Sequence, residues 1–374
     1  MMRLSPAFIT LAAALCAPLA HAQLSTQNLV SPAATSGALT GLKYTSVGAT
    51  GSYNQVTNMV PGTFPTCTVN PSCVTQPKQI SGNLAPFDEE MTFNFRGPLN
   101  LDNIAVYQPD GANATAWTQV SAWAAGQAPT NLVFMNNLGG EKSGEFSICG
   151  GNSQSFANGA WTDATTASNA EIAKGFLDED HEINIMTAQT CADSPCDGFA
   201  RGTANHGWAA SKMLVVTFNM PPSTDASKVP AIWALNAQVV RSAEYGCNCR
   251  GVGSPGGCGE LDILETLVGA DPTHGISEVY SLKGATGTGG AAFFARPTGD
   301  KVTYGVVFDV QTDSIAIQRL TKWDYGVKTV GRDVIDGYLN APAMEVSFAT
   351  GARKRSELQK ARGVVGGHRR RHGF

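Results

Sequence analysis

Three features of this sequence predict an all-β protein built as an antiparallel β-sandwich. It is rich in glycine (41 residues) and poor in charge, with Asp, Glu, Lys and Arg together at 15%. Short segments rich in Val, Ile, Thr and Phe recur, each bounded by Gly, Pro, Asn or Asp, which is the pattern of strands and turns. There is no heptad run, no solenoid-type repeat and no long charged helical stretch.

Taken in chain order, residues 1–22 read as a secretory signal. Arg3 supplies the positive start, FITLAAALCAPLA the apolar run, and Ala20-His21-Ala22 the cleavage site. The mature chain would begin at Gln23. No later stretch is long and apolar enough to span a bilayer, and the polar, charged C-terminus carries no lipid-anchor signal. The expected location is therefore secreted, extracellular or in the cell wall, without a membrane span. Residues 23–42, rich in Ser, Thr, Ala and Gly, read as a linker.

Residues 43–120 read as an N-terminal β-rich domain, with strands expected in KYTSVGATGSYNQVTNMV, MTFNFRG and LDNIAVYQP. Asn113-Ala114-Thr115 is a weak glycosylation signal in a surface loop. Residues 121–350 read as a second β-sandwich domain. Its strands are expected in NLVFMNN, GEFSICG, HEINIMTA, KMLVVTFNMPP, VPAIWALNAQVV, GELDILETLVG, KVTYGVVFDV and DSIAIQRL, the last two split by a turn near Thr312-Asp313. Residues 351–374 read as a disordered basic tail, open to binding anionic polymers, to trimming at Lys354-Arg355, or to being a solvated tail without function.

Eight cysteines remain once Cys16 leaves with the signal, an even count that favours disulfides in an exported chain. Cys67–Cys73 and Cys191–Cys196 would close short loops. Cys149, Cys247, Cys249 and Cys258 would staple the region before GCGELDILET. Zinc at Cys247, Cys249 and Cys258 is the competing reading, disfavoured because C-x-C is not the usual knuckle spacing. The tail from Gly351 holds eight Lys or Arg and one Glu, whereas the remainder without Arg3 holds 17 basic and 29 acidic residues. So acidic a body argues against nucleic acid as a partner.

The chemistry concentrates in GCGELDILET, where Glu260, Asp262 and Glu265 interleave with Leu261, Ile263 and Leu264. On a strand, Glu260 and Asp262 share one face and the apolar residues take the other. Glu265 has the wrong parity, and one β-bulge at Ile263-Leu264 would return it to the acidic face. A helix would also give Leu261, Leu264 and Val268 a common stripe, but it would point Glu260 away from the other acids, and the flanking glycines oppose it. Three solvated surface acids are the plain alternative. Clustered carboxylates push at least one pKa upward. A retaining glycosidase needs this arrangement: one ionised carboxylate, one protonated, with carboxyl groups roughly 5–5.5 Å apart.

At these residues the sequence resembles family-16 glycoside hydrolases, the laminarinase and lichenase group, whose catalytic strand reads E-x-D-x-E or, with a bulge, E-x-D-x-x-E. KMLVVTFNMP, PAIWALN and VTYGVVFDV are similar to flanking strands of that family. A closer similarity is to a fungal group of cell-wall glycosyl hydrolases with an N-terminal glycine-rich domain and a C-terminal glucanase-like domain. NLVFMNNLGG, ANHGWAASK, PAIWALNAQVV, GCGELDILE and FFARPTG all resemble that group, over about Leu42 to Ala349. The resemblance implies a jelly-roll, concanavalin-like catalytic domain and β-1,3-glucan as substrate. It also implies Glu260 as nucleophile, Asp262 as assisting acid and Glu265 as acid/base. PAIWALN lacks the second Trp that many laminarinases carry there.

Glycan grooves use exposed aromatics because sugars offer apolar C–H faces. Trp233 shares parity with Ala231 and Leu235 and is open to either a groove or a core position; Trp208 and Tyr245 are further sugar-contact candidates. His274 and Arg296 are candidates for hydrogen bonds to sugar or to the acids, with structural roles as the alternative; His206 is a weaker one. Asp178-Glu179-Asp180-His181-Glu182 reads as a solvated acidic loop more than a calcium site, since its spacing fits no EF-hand. No metal and no cofactor are expected, and the protein is expected to be a monomer. Two functions compete: a secreted retaining endo-β-1,3-glucanase or transglucosylase, and a non-catalytic wall glycan-binding or structural protein on the same sandwich.

Overall fold

Two large sheets face each other in the computed structural model, which describes residues 28–30, 37–60, 72–139, 154–200, 203–250, 257–289 and 291–349. The expected signal segment, the Cys67–Cys73 pairing, Cys149 with the GEFSICG strand, and the basic tail lie outside the described residues.

Among the described residues the first sheet is 11-stranded. Its spatial order is Ala38–Leu39, Phe293–Ala295, His274–Ser281, Glu260–Glu265, Ala231–Asn236, Met91–Arg96, Glu182–Met186, Val133–Asn136, Ser155–Ala157 and Ala164–Thr165, with Gly284–Gly287 paired to His274–Ser281. The second sheet is 9-stranded, in the order Thr329–Gly331, Ala116–Ala124, Leu99–Pro109, Lys212–Asn219, Val302–Asp309, Ser314–Leu320, Gly41–Thr45 and Met344–Ser347, with Phe176–Leu177 on Leu99–Pro109. Gly51–Val60 and Ser72–Ile80 form a separate hairpin. Pairing is antiparallel except at Ala38–Leu39 on Phe293–Ala295 and Gly41–Thr45 on Met344–Ser347. The all-β sandwich expected from the sequence is what the chain forms.

Alternation along the strands explains why the sheets stack. In TFNFR, Phe93 and Phe95 enter the inter-sheet core while Thr92, Asn94 and Arg96 take the opposite face. Ile183, Ile185, Ile232, Ala234, Leu261, Ile263 and Leu264 join the phenylalanines, and Leu214, Val216, Tyr304, Val306, Ile315 and Ile317 meet them from the second sheet. Each fully buried aliphatic side chain contributes roughly 1.5–3 kcal/mol. KMLVVTFN is apolar at nearly every position because its outer face is covered as well. Met213 and Val215 pack with Trp117, Trp323 and the helix Arg332–Leu339, through Val334, Ile335, Tyr338 and Leu339.

Residues on both sides of position 120 share both sheets. Met91–Arg96 lies between Glu182–Met186 and Ala231–Asn236, and Leu99–Pro109 lies between Ala116–Ala124 and Lys212–Asn219. One expected strand is shorter than read. VPAIWALNAQVV is extended only to Asn236, whose side chain accepts from the Gln238 N–H and caps the helix Ala237–Ser242. Cys191–Cys196 forms as expected, and Cys249–Cys258 is also a disulfide, which closes the zinc reading for that pair.

Candidate active site

The strand Glu260–Glu265 begins at a position only glycine tolerates. Gly259 has φ +97°, and a Cβ there would approach Pro86 and Phe87 to 3.1–3.2 Å. The strand then pairs with Ala231–Asn236 in a register that skips a residue. Leu235 faces Glu260 and Trp233 faces Asp262, but Ile232 faces Leu264 and Ala231 faces Glu265. Ile263 is the extra residue. The neighbour on the other side shows the same shift, Asp262 opposite Glu278 and Glu265 opposite Ile276. The bulge expected at Ile263-Leu264 is present, and Glu260, Asp262 and Glu265 share the sheet face of Leu235, Trp233 and Ala231. Leu261, Ile263 and Leu264 go into the inter-sheet core.

The acids meet partners on that face. Arg96 Nη2 lies 3.3 Å from Glu265 Oε1, and its Nη1 lies 3.6 Å from Glu182 Oε1. The same guanidinium sits 5.7 Å from the centroid of the Trp233 ring. Arg250 Nε lies 3.6 Å from Glu260 Oε2, and its guanidinium carbon is 5.6 Å from the Tyr245 ring centroid. The Cys249–Cys258 bond ties the residue next to Arg250 to the approach of the acidic strand. The Tyr245 hydroxyl donates to Glu182, and the Tyr280 hydroxyl donates to Glu278. Glu260, Asp262 and Glu265 retain 5%, 2% and 6% of their surface.

Burial opposes the charge on both arginines. At Arg96 it is outweighed by Glu182, then Glu265 and Tyr245, so the pKa rises. At Arg250 it is outweighed by Glu260, then Glu244, Tyr245 and Asp262, with the same outcome. Glu244 is buried beside them. Desolvation first, then the charge of Glu182, pushes its pKa up to about 7, against the opposing pull of Arg250 and a hydrogen bond from Asn137. Burial, then Glu182 and Glu244, drives the Tyr245 hydroxyl well above the usual range.

The structure brings Trp233 and Tyr245 to the acids and settles the face of Trp233. It packs on the acid-bearing side, with Met135, Met186 and Leu235. His274 shares the parity of Ile276 and sits at the edge of that face, half-buried, stacked on Phe293 with centroids 3.4 Å apart. Trp208 is not brought to the acids. It lies in the inter-sheet core against Phe93, with its indole N–H donating to Ser121 Oγ at 3.1 Å. Nor is Arg296, whose guanidinium donates to the carbonyls of Met220, Pro272 and Pro221 and so ties loops together. His206 is bound to Glu90 and the Ser194 carbonyl.

In the acidic loop, Asp180 pairs with Lys228, Glu179 accepts from Ser223, and Glu182 turns into the site. Among the described residues, the group with metal-ligand proximity is Glu90, Cys196 and His206, and the Cys196 sulfur is committed to its disulfide. The sequence reading missed Arg96, Glu182, Glu244, Arg250 and Glu278. The signal for the first two was the alternation of T-N-R with F-F and of E-N with I-I, polar positions on strands too apolar to be surface strands.

Comparison with known proteins identifies the family of the chain. Residues 115–336 match the family described as cell wall protein YJL171C/Tos1, C-terminal, and residues 40–109 match its N-terminal counterpart. The chain belongs to the YJL171C/Tos1 family of cell wall proteins. It is similar to a "probable circularly permuted 1,3-beta-glucanase" of Schizosaccharomyces pombe, 25% identical over 83% of this chain and 92% of the relative. A Saccharomyces cerevisiae protein with the same description, YJL171C, is 28% identical over 72% of each chain. PGA52 of Candida albicans, again so described, is 26% identical over 86% of this chain and 88% of the relative. No solved structure matches the chain. Among the described residues, no helix of this YJL171C/Tos1 member is long and apolar enough to cross a membrane.

Proposed function

We propose that this YJL171C/Tos1 protein is a retaining endo-β-1,3-glucanase or transglucosylase of the cell wall, related in mechanism to family-16 glycoside hydrolases. The observation that carries the reading is the bulge at Ile263, which turns Glu260, Asp262 and Glu265 onto one face beside Trp233. The relatives' names supply the substrate class. Those names also describe a circular permutation, which requires chain ends that lie close together. Here Gly41–Thr45 pairs directly with Met344–Ser347, bringing the two ends of the described fold side by side.

Glu265 gives its proton to the glycosidic oxygen while the Glu260 carboxylate bonds to the anomeric carbon and the leaving chain departs. Water, or a hydroxyl of a second glucan, then attacks that carbon. Glu265 takes its proton and the Glu260 ester breaks. Arg250 places a positive charge beside Glu260, its Nε 3.6 Å from Oε2. Asp262, between the two glutamates, assists Glu260. Trp233, buried beside the acids, packs against the Arg96 guanidinium and holds it toward Glu265. Glu265 is already engaged by Arg96 at 3.3 Å, and this observation favours the second reading, a wall glycan-binding protein without turnover.

The test is reducing-end release and product-length analysis from a laminarin-type β-1,3-glucan with wild type, Glu260→Gln and Glu265→Gln. Each variant is expected to lose at least about a hundredfold in rate with its fold intact. Turnover at the wild-type level in either variant rejects the residue assignment. Glucan retention by a wild type that yields no product over long incubation selects the binding reading.

A further inference from the structure

Glu244 follows the helix Ala237–Ser242 and is 2% exposed. Asn137 Nδ2 donates to its Oε2 at 2.8 Å, and its Oε1 is buried with no hydrogen-bond partner among the described residues. Its backbone carbonyl accepts from Arg250 Nη2 at 3.0 Å, and Arg250 Nε lies 3.6 Å from Glu260 Oε2. Arg250 thus links Glu244 to the proposed nucleophile. The charged and titratable groups facing Glu244 come from each surrounding element. Arg250 belongs to the loop before the acidic strand, Glu260 to that strand and Glu182 to the strand Glu182–Met186, while Tyr245 follows Glu244 in the chain.

We propose that Glu244 is a positioning residue of this site, a buried carboxyl that governs, through Arg250, how much positive charge reaches Glu260. The role rests on the reading of Glu260 as the nucleophile. While Glu244 is protonated, Arg250 serves Glu260 as its counter-charge. Once Glu244 ionises, two carboxylates compete for one guanidinium, and the charges of Glu182 and Glu260 repel the newcomer. Arg250 is drawn from Glu260, and the nucleophile loses the group that orients it. Desolvation and then Glu182 put this ionisation near neutrality, so glucan cleavage declines as the pH rises above about 7.

Two measurements on the intact protein test the role. The first is the pH–rate profile on a laminarin-type glucan for wild type and Glu244→Gln, which keeps an acceptor for Asn137. The alkaline decline is expected to move upward by about one pH unit or more in the variant, so that it retains roughly tenfold more of its maximal rate at high pH. If the decline instead reports proton loss from Glu265, removing a nearby negative charge moves it downward, and a downward or absent shift overturns the proposal. The second is a carbon-13 carboxyl NMR titration of glutamate-labelled protein, with Glu244 assigned by its missing resonance in the variant. Titration near neutrality supports the role. Titration in the ordinary carboxylate range, in an enzyme that cleaves glucan, overturns this role alone. A wild type that does not cleave glucan overturns the glucanase reading and this role with it.

Discussion

Replacing Glu244 with Gln should change how the stability of this protein depends on pH, whatever its substrate. The side chain is buried, and desolvation followed by Glu182 moves its pKa from 4.5 to about 7. Between those two values the folded protein holds a proton that the unfolded chain has released. Stability therefore falls as the pH rises through this window, because the native state binds more protons than the unfolded state. At about 1.4 kcal/mol per pH unit, the wild type loses roughly 3 kcal/mol from this group between pH 4.5 and 7. Glutamine has no proton to lose and keeps the Asn137 hydrogen bond. Urea unfolding followed by tryptophan fluorescence, on both proteins from pH 4.5 to 8, measures the difference. Relative to wild type, Glu244→Gln should gain roughly 3 kcal/mol across that range, most of it before pH 7. Parallel stability curves would refute the claim that Glu244 carries a proton in the folded protein.

Lys212 offers a second pH test of opposite sign. It is buried, donates to the carbonyls of Phe87 and Glu89, and burial lowers its pKa to about 7 against the opposing effect of Asp88, Glu89 and Glu90. Between 7 and its usual 10.5 the unfolded chain binds the extra proton, so wild-type stability rises with pH there, and Lys212→Met should lack that rise in the same denaturation series. Arg96→Met should destabilise by about 3–5 kcal/mol at pH 7, since it leaves Glu265 and Glu182 without their shared guanidinium. The same urea series at pH 7 measures that loss; a cost under about 1 kcal/mol would mean that the ion pairs contribute little and that Arg96 acts through packing on Trp233 instead.

The acid face was legible where the sequence breaks its own parity. Glu260 and Asp262 obey a period of two and Glu265 violates it, and apolar residues at Leu261, Ile263 and Leu264 leave a bulge as the way to satisfy all six positions. The arginines were not legible because their role depends on pairings between distant strands. Arg96 meets Glu265 across 169 positions, and no local pattern specifies that Met91–Arg96 lies between Glu182–Met186 and Ala231–Asn236. Trp208 misled for a related reason. An indole in a polar, glycine-flanked segment suggests exposure, but the backbone of Trp208 bonds Met91 and carries the ring under the first sheet.

The polar alternation of four strands was the readable signal left unused. Thr92, Asn94 and Arg96 oppose Phe93 and Phe95. Glu182 and Asn184 oppose Ile183 and Ile185, Glu260 and Asp262 oppose Leu261 and Ile263, and Glu278 and Tyr280 flank Val279. A solvated sheet face explains such alternation on one or two strands. Here the register aligns them into rows, Glu278–Asp262–Trp233–Asn94–Asn184 and Glu265–Ala231–Arg96–Glu182, and every side chain of the first row is buried to 4% exposure or less. Burying so many polar groups costs stability unless each is paired or serves a ligand. Both amide atoms of Asn94 lie buried without a hydrogen-bond partner among the described residues, in the middle of the first row. A sheet that only stacked on its neighbour would place apolar residues at these positions. The sandwich beneath this polar band supplies the rigidity that keeps the acids and arginines at their distances.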